Sequence, residues 1–287
     1  MSFKRQFNNF DFRKMGQERI YQYIGPEIRS GEIFPALRDN RIDFYYNGGC
    51  IYQYKNKGFY CNPDYGKYLH GAVPSLTGES DYFIDSFSDI NFGLLHSDLK
   101  KAIGKKFSNV ERNAERSYLK NIYAYTYSRQ GSAVKVIDIE VYIDRTKCDM
   151  VLWDSGTQTL QFVEAKLYDD SRLWEKGERE LDTLEQVQKY EQAISTQQND
   201  ILLQYQTSIG IMKQFGLEIG QIRNINPSVK LAIFDVRRSR FNDGHNKGRK
   251  EKIDSFYKEK LKNNLYLCFD RQPEDITPDL IFNGHYE

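Results

Sequence analysis

The sequence lacks most of the features by which composition alone betrays a partner. Its 287 residues carry 41 Lys and Arg against 40 Asp and Glu, a formal net charge of +1. No field of one sign covers the molecule, and any nucleic-acid site has to be a local patch. The 4 cysteines, Cys50, Cys61, Cys148 and Cys268, form no C-x-x-C and no Cys/His pair at ligand spacing. That argues against a structural zinc and suits a reducing compartment. The 4 histidines, His70, His96, His245 and His285, are scattered and read as surface or capping groups. No apolar run approaches the roughly 20 residues that a bilayer requires, so no membrane contact is expected. The opening MSFKRQFNNFDFRK has no continuous apolar stretch, which leads us to expect no secretory signal and a cytoplasmic location.

Aromatic rings, by contrast, are plentiful, with 21 Tyr and 18 Phe. Residues 1 to about 40 read as short helical pieces ending near Pro35. Over 42–61, short alternating aromatic runs broken at Asn47-Gly48 and Lys57-Gly58 predict a three-stranded meander. Its tyrosines, Tyr45, Tyr46, Tyr52, Tyr54 and Tyr60, suit a sheet that covers a core or makes a dimer or partner contact. Stacking on bases is the rival use. Residues 62–92, rich in Gly, Pro, Ser and Asp, read as loop. We divide the chain into an N-terminal accessory region, 1–95, and a second domain, 96–287.

In the second domain, 97–107 and 108–127 read as helices, the latter with Ser108 as N-cap and Glu111 at the capping-box position. AVKVIDIEVYI, then CDMVLWD after the short polar turn DRTK (144–147), and TLQFVEAKL make three antiparallel strands. Two helices follow over 178–196 and 199–215, then a buried strand, 229–236, which should lie parallel to a strand of the same sheet. NNLYLCFD is a last strand. The order is that of an α/β protein with a mixed sheet.

One strand is unusual. Glu164 and Lys166 stand two residues apart in LQFVEAKL, on one face of a strand that otherwise suits burial. If Gly156-Thr157 forms a two-residue turn before it, Asp149 sits opposite Glu164, with Cβ atoms about 5 Å apart, and a longer turn would shift that register. Two facing carboxylates persist most naturally around a cation. With only oxygen donors nearby, that cation would be hard, Mg²⁺ or Mn²⁺. The bland alternative is a solvated edge pair. Asp138, Glu140 and Asp144 read as solvated strand and turn acids.

Asp149 followed by Glu164-Ala165-Lys166 on the next strand resembles the PD-(D/E)XK nuclease superfamily, over about 108–236. Gln186 and Tyr190 on the following helix match the Q-x-x-x-Y of its RecB-type members. Cys148 departs from the pattern, standing where the fuller motif has Pro. The resemblance implies a restriction-endonuclease-like core (αβββαβ, a mixed sheet flanked by helices) with a small β-rich N-terminal region. It implies Asp149 and Glu164 as metal ligands and Lys166 as the catalytic lysine; the place of Ala165 between them on the strand makes its carbonyl a further candidate donor. Gln186 and Tyr190 would support the site or hold DNA. Superfamily sites often add an acid from the first core helix. Glu115 is the candidate, beside the inward face set by Tyr118, Leu119 and Ile122, and Glu111 is its rival. The implied function is Mg²⁺-dependent hydrolysis of DNA phosphodiester bonds, in a phage-defence or mobile-element setting by family analogy. A non-cleaving nucleic-acid-binding or protein-interaction module on the same fold is the alternative.

A second charge feature lies downstream. Arg237, Arg238, Arg240, Lys247, Arg249, Lys250 and Lys252 follow the penultimate strand. In a nuclease such a run would clamp phosphates, and otherwise it is a solvated loop. Lys101, Lys105, Lys106, Arg112 and Arg116 are a second candidate track.

Overall fold

A computed structural model describes residues 3–55, 58–61, 82–83, 91–106, 110–128, 132–175, 181–243 and 247–286. Most of the loop expected over 62–92 lies outside them, as do Lys57, His70, the Ser108 cap, Gly244 and His245. The side chains of Glu111 and Arg112 likewise lie outside what is described.

The chain divides into two compact units. The first comprises Lys4–Gln130 and Thr207–Glu218, and the second Met1–Phe3, Gly131–Gln206 and Ile219–Glu287. Each has its own five-stranded sheet, and helices accompany both, so the protein is α/β.

The first unit opens with helices α1 (Phe12–Gln17) and α2 (Tyr21–Ser30). An antiparallel sheet follows in the order β1-β2-β3-β4-β5: Phe34–Arg38, Arg41–Tyr46, Gly49–Lys55, Gly58–Cys61 and Tyr82–Phe83. The expected meander is strands β2 to β4. Residues 34–38, expected to close a helical stretch, are instead strand β1. Pro35 is tolerated there because, among the described residues, β1 is an edge strand with no neighbour on its outer side to miss a donor. Tyr52 and Tyr54 are buried with Phe44 and Phe59, which accounts for them as core rings. Helices α3 (Phe92–Lys106) and α4 (Val110–Ser128) complete the unit. Gly31 ends α2 at φ +81°, and a Cβ there would lie 2.3 Å from the Ala124 carbonyl oxygen of α4. Only glycine permits both the left-handed turn and that approach.

The second unit is built on β6 (Val134–Ile143), β7 (Thr146–Asp154), β8 (Thr159–Leu167), β9 (Asn224–Val236) and β10 (Leu265–Phe269). Their order is β10-β9-β8-β7-β6. Strands β6, β7 and β8 form an antiparallel meander, and β9 lies parallel to both β8 and β10. The predicted parallel pairing is therefore present. Helix α5 (Asp182–Gln214) carries the chain from β8 toward β9. It is one helix with a break at Gln197 (φ −114°, ψ 17°), where two separate helices were expected. Short helices α6 (Arg238–Phe241), α7 (Lys247–Lys252) and α8 (Lys258–Leu261) lie between β9 and β10, and α9 (Pro278–Asn283) follows β10. Strand β8 is buried from Leu160 to Lys166. That is the burial expected of a central strand covered on both faces.

Candidate active site

The β7–β8 hairpin pairs Asp154 with Thr159 and continues to Met150 with Val163. Its turn has four residues, 155–158, rather than the two assumed from sequence. It is still centred on Gly156-Thr157, so the register is the expected one. Asp154 pins the turn by accepting from the Thr157 N–H and hydroxyl, both at 2.7 Å. Asp149 and Glu164 are the next residues beyond the last pair, and they stand level on neighbouring strands. The Ala165 N–H donates to Asp149 Oδ2 at 2.8 Å.

Glu164 and Lys166 are each 2% exposed. Lys166 Nζ donates to Glu164 Oε1 and, at 3.2 Å, to the Ala165 carbonyl. This is a buried ion pair, not a solvated edge pair. Asp149 is half-buried. Burial pushes its carboxyl above the usual range, the Lys166 charge and the Ala165 N–H pull it back, and the Glu140 charge adds to the rise.

Glu140 is the residue that sequence reasoning set aside. Strand β6 pairs Ile139 with Met150 and Val141 with Cys148, which leaves Glu140 level with Asp149. Acids from three successive strands therefore form a row: Glu140, Asp149, Glu164. Glu140 is not a solvated acid. It is half-buried, takes a left-handed φ of +52°, and pairs with Lys147. The signal was available in the short DRTK turn, whose two-residue loop fixes this level as surely as the next hairpin fixes Asp149 against Glu164. Asp138 also departs from expectation. It is 1% exposed and accepts from the Tyr205 hydroxyl at 2.9 Å, a buried polar pair between β6 and α5.

Gln186 and Tyr190 act as a unit. The Tyr190 hydroxyl donates to the Lys147 carbonyl, and Gln186 Nε2 donates to that hydroxyl. Burial raises the Tyr190 phenol, and the Glu164 charge raises it further, so it stays protonated and can hold the β7 backbone two residues from Asp149. Cys148, in the place of the motif proline, donates its thiol to the Val163 carbonyl at 3.0 Å, and burial pushes its pKa up. It is a strand-to-strand link rather than a nucleophile. Glu115 stands half-buried on α4 of the first unit.

The basic segment is largely engaged with its own chain. Arg240 and Arg249 both pair with Asp169, at 2.6 and 2.7 Å. Against the upward push of burial, their hydrogen bonds hold the Asp169 carboxyl below the ordinary range. Arg238 pairs with Asp270 at 3.5 Å, Lys247 with Glu251 at 3.8 Å, and Lys250 bonds Asn242 at 3.2 Å. Arg237 is exposed.

Among the described residues, no group of three or more His, Cys, Asp or Glu side chains is arranged to hold a metal. The donors at Asp149 and Glu164 fit a hard divalent cation by type. Mg²⁺ in particular is commonly held by one or two carboxylates, with waters and substrate oxygens completing its shell. No helix among the described residues is long and apolar enough to cross a membrane. Comparison of the chain with protein-family models, curated proteins and solved structures returned no match.

Proposed function

We propose that the second unit is a divalent-metal-dependent phosphodiesterase that hydrolyses DNA, on a restriction-endonuclease-like core. The observation that carries this reading is the level placement of Asp149 and Glu164 across β7 and β8, with Lys166 one pleat further on the same strand. The antiparallel β6-β7-β8 meander, the crossover α5 and the parallel β9 support the core assignment.

In this reading Asp149 and Glu164 would hold Mg²⁺ or Mn²⁺. When bound, the cation supplies positive charge at the phosphoryl group and acidifies a water. Lys166 offers an ammonium to the charge that builds on the phosphoryl oxygens as the water attacks. Its contact with Glu164 keeps it oriented along the strand. The Ala165 N–H fixes Asp149, and the Gln186–Tyr190 pair fixes the carbonyl of Lys147, so both strands are held before substrate arrives. Tyr190 and Gln186 are thus positioning residues.

The test is incubation of the full chain with supercoiled plasmid in Mg²⁺, in Mn²⁺ and in EDTA. Nicking or linearisation with metal but not in EDTA supports the reading, and intact plasmid under all three conditions rejects it.

A second reading has an observation in its favour. The buried Glu164–Lys166 pair already satisfies both charges without an ion, as a nucleic-acid-binding or protein-interaction module that does not cleave would require. Such a module would bind duplex in EDTA, or a protein partner, and leave plasmid intact.

A further inference from the structure

Arg240 on α6 and Arg249 on α7 come from separate helical segments and converge on one carboxylate. Arg240 Nη1 meets Asp169 Oδ2 at 2.6 Å, and Arg249 Nη1 meets Asp169 Oδ1 at 2.7 Å. Each oxygen thus has its own guanidinium, as two oxygens of a phosphate would. The Arg249 guanidinium lies over the rings of Trp174 and Tyr168, with centroids at 5.0 and 5.3 Å. These rings meet edge-on at 5.2 Å, and Trp174 Nε1 donates to the Tyr168 carbonyl at 2.9 Å, so the aromatic wall that orients Arg249 is itself fixed.

Within this trio two positive charges face one negative, and the charge of Asp235 also reaches Arg240. The groups are open to solvent, with side-chain exposures of 44% for Arg240, 31% for Arg249 and 48% for Asp169. Exposed ion pairs of this kind contribute little to stability, so folding alone gives weak reason for gathering two arginines onto one acid. The location suits a ligand. Asp169 follows β8 and Arg240 follows β9, at the carboxyl ends of adjacent parallel strands, where open α/β sheets bind their ligands. Lys166 is the penultimate residue of the same strand, and its charge reaches Asp170.

We infer that Arg240 and Arg249 form a phosphate seat in which Asp169 is the resident counter-anion, displaced when a phosphate group enters. The ligand chemistry is a phosphate oxygen pair, from a nucleic-acid backbone or from the free ion. The proposed DNA-hydrolysing function bears only on which of these is the source. Asp169 then makes binding an exchange of one anion for another and weakens attachment to stray polyanions.

The experiment measures anisotropy of a labelled DNA duplex and calorimetry with inorganic phosphate, both in EDTA so that no turnover is needed. Asp169→Asn should tighten binding about three- to tenfold, because it removes a competing charge. Arg240→Gln with Arg249→Gln should weaken it and reduce the slope of log affinity against log salt by about 0.9 for each phosphate no longer neutralised. In that double background Asp169→Asn should have no effect. Arg240→Lys with Arg249→Lys, which keeps charge but loses the paired fork, should fall between the wild type and the Gln variant. Binding of inorganic phosphate without duplex supports the seat and assigns it to the free ion. Unchanged affinity for both ligands in Asp169→Asn, or wild-type binding by the Gln double variant, overturns the inference. Failure to cleave plasmid leaves these readings untouched, so the two proposals fall separately.

Discussion

The Ala165 N–H that bonds Asp149 Oδ2 at 2.8 Å lies between the two charged residues of β8, so one amide ties the β7 carboxylate to the strand carrying Glu164 and Lys166. This predicts different outcomes for two substitutions at Asp149. Asp149→Asn keeps an oxygen for the amide and should leave stability close to wild type. Asp149→Ala strands the donor and should cost about 1–3 kcal/mol. Urea denaturation distinguishes them, and equal stability of the two variants would show that the bond contributes nothing.

Lys166 is the more fragile position. Both it and Glu164 are 2% exposed, so Lys166→Met leaves a buried carboxylate uncompensated. Loss of one member of a buried pair costs about 3–5 kcal/mol, while replacing both is far milder. Lys166→Met with Glu164→Gln should therefore be more stable than Lys166→Met alone. Where Lys166→Met still folds, cleavage should slow by about two to three powers of ten, the loss expected of one transition-state donor. A single variant as stable as wild type would contradict the buried pair.

Lys230 supplies a pH dependence outside the site. It is 4% exposed, donates to the Phe282 and Gly284 carbonyls at 2.6 and 2.8 Å, and burial lowers its pKa to about 8. Its folded pKa lies below the unfolded value, so between those values the unfolded chain binds more protons and stability rises with pH. Below pH 8 the full cost of a buried ammonium is present. Wild type should therefore gain on Lys230→Met as pH climbs from 8 toward 10, by at most about 2–3 kcal/mol. Denaturant midpoints of both proteins across that range check it, and a constant difference would rule it out.

The sequence made local geometry legible and left non-local pairing hidden. Asp149 could be set against Glu164 because a hairpin register depends only on where its turn is centred, and a four-residue turn shares its centre with a two-residue one. The same arithmetic on the DRTK turn would have found Glu140. Strand β1 was missed because Pro35 reads as a breaker unless its strand is known to be an edge. Asp138 looked solvated because its partner, Tyr205, lies 67 residues away. The basic run looked like a free phosphate clamp for the same reason, since Asp169 and Asp270 meet it only in the folded chain. The stretch around Gln197 reads as a helix end from sequence, because a polar stretch looks alike at a break and at an end.

The central claim is that Asp149 and Glu164 together make a phosphodiesterase site, and the most direct measurement compares plasmid cleavage in Mg²⁺ by wild type, Asp149→Asn and Glu164→Gln, each first shown to be folded by circular dichroism. The account predicts metal-dependent cleavage by wild type and loss of at least two powers of ten in each variant, in keeping with the removal of a group that acts in the transition state. Cleavage at the wild-type rate by both folded variants, or none by wild type, would contradict it.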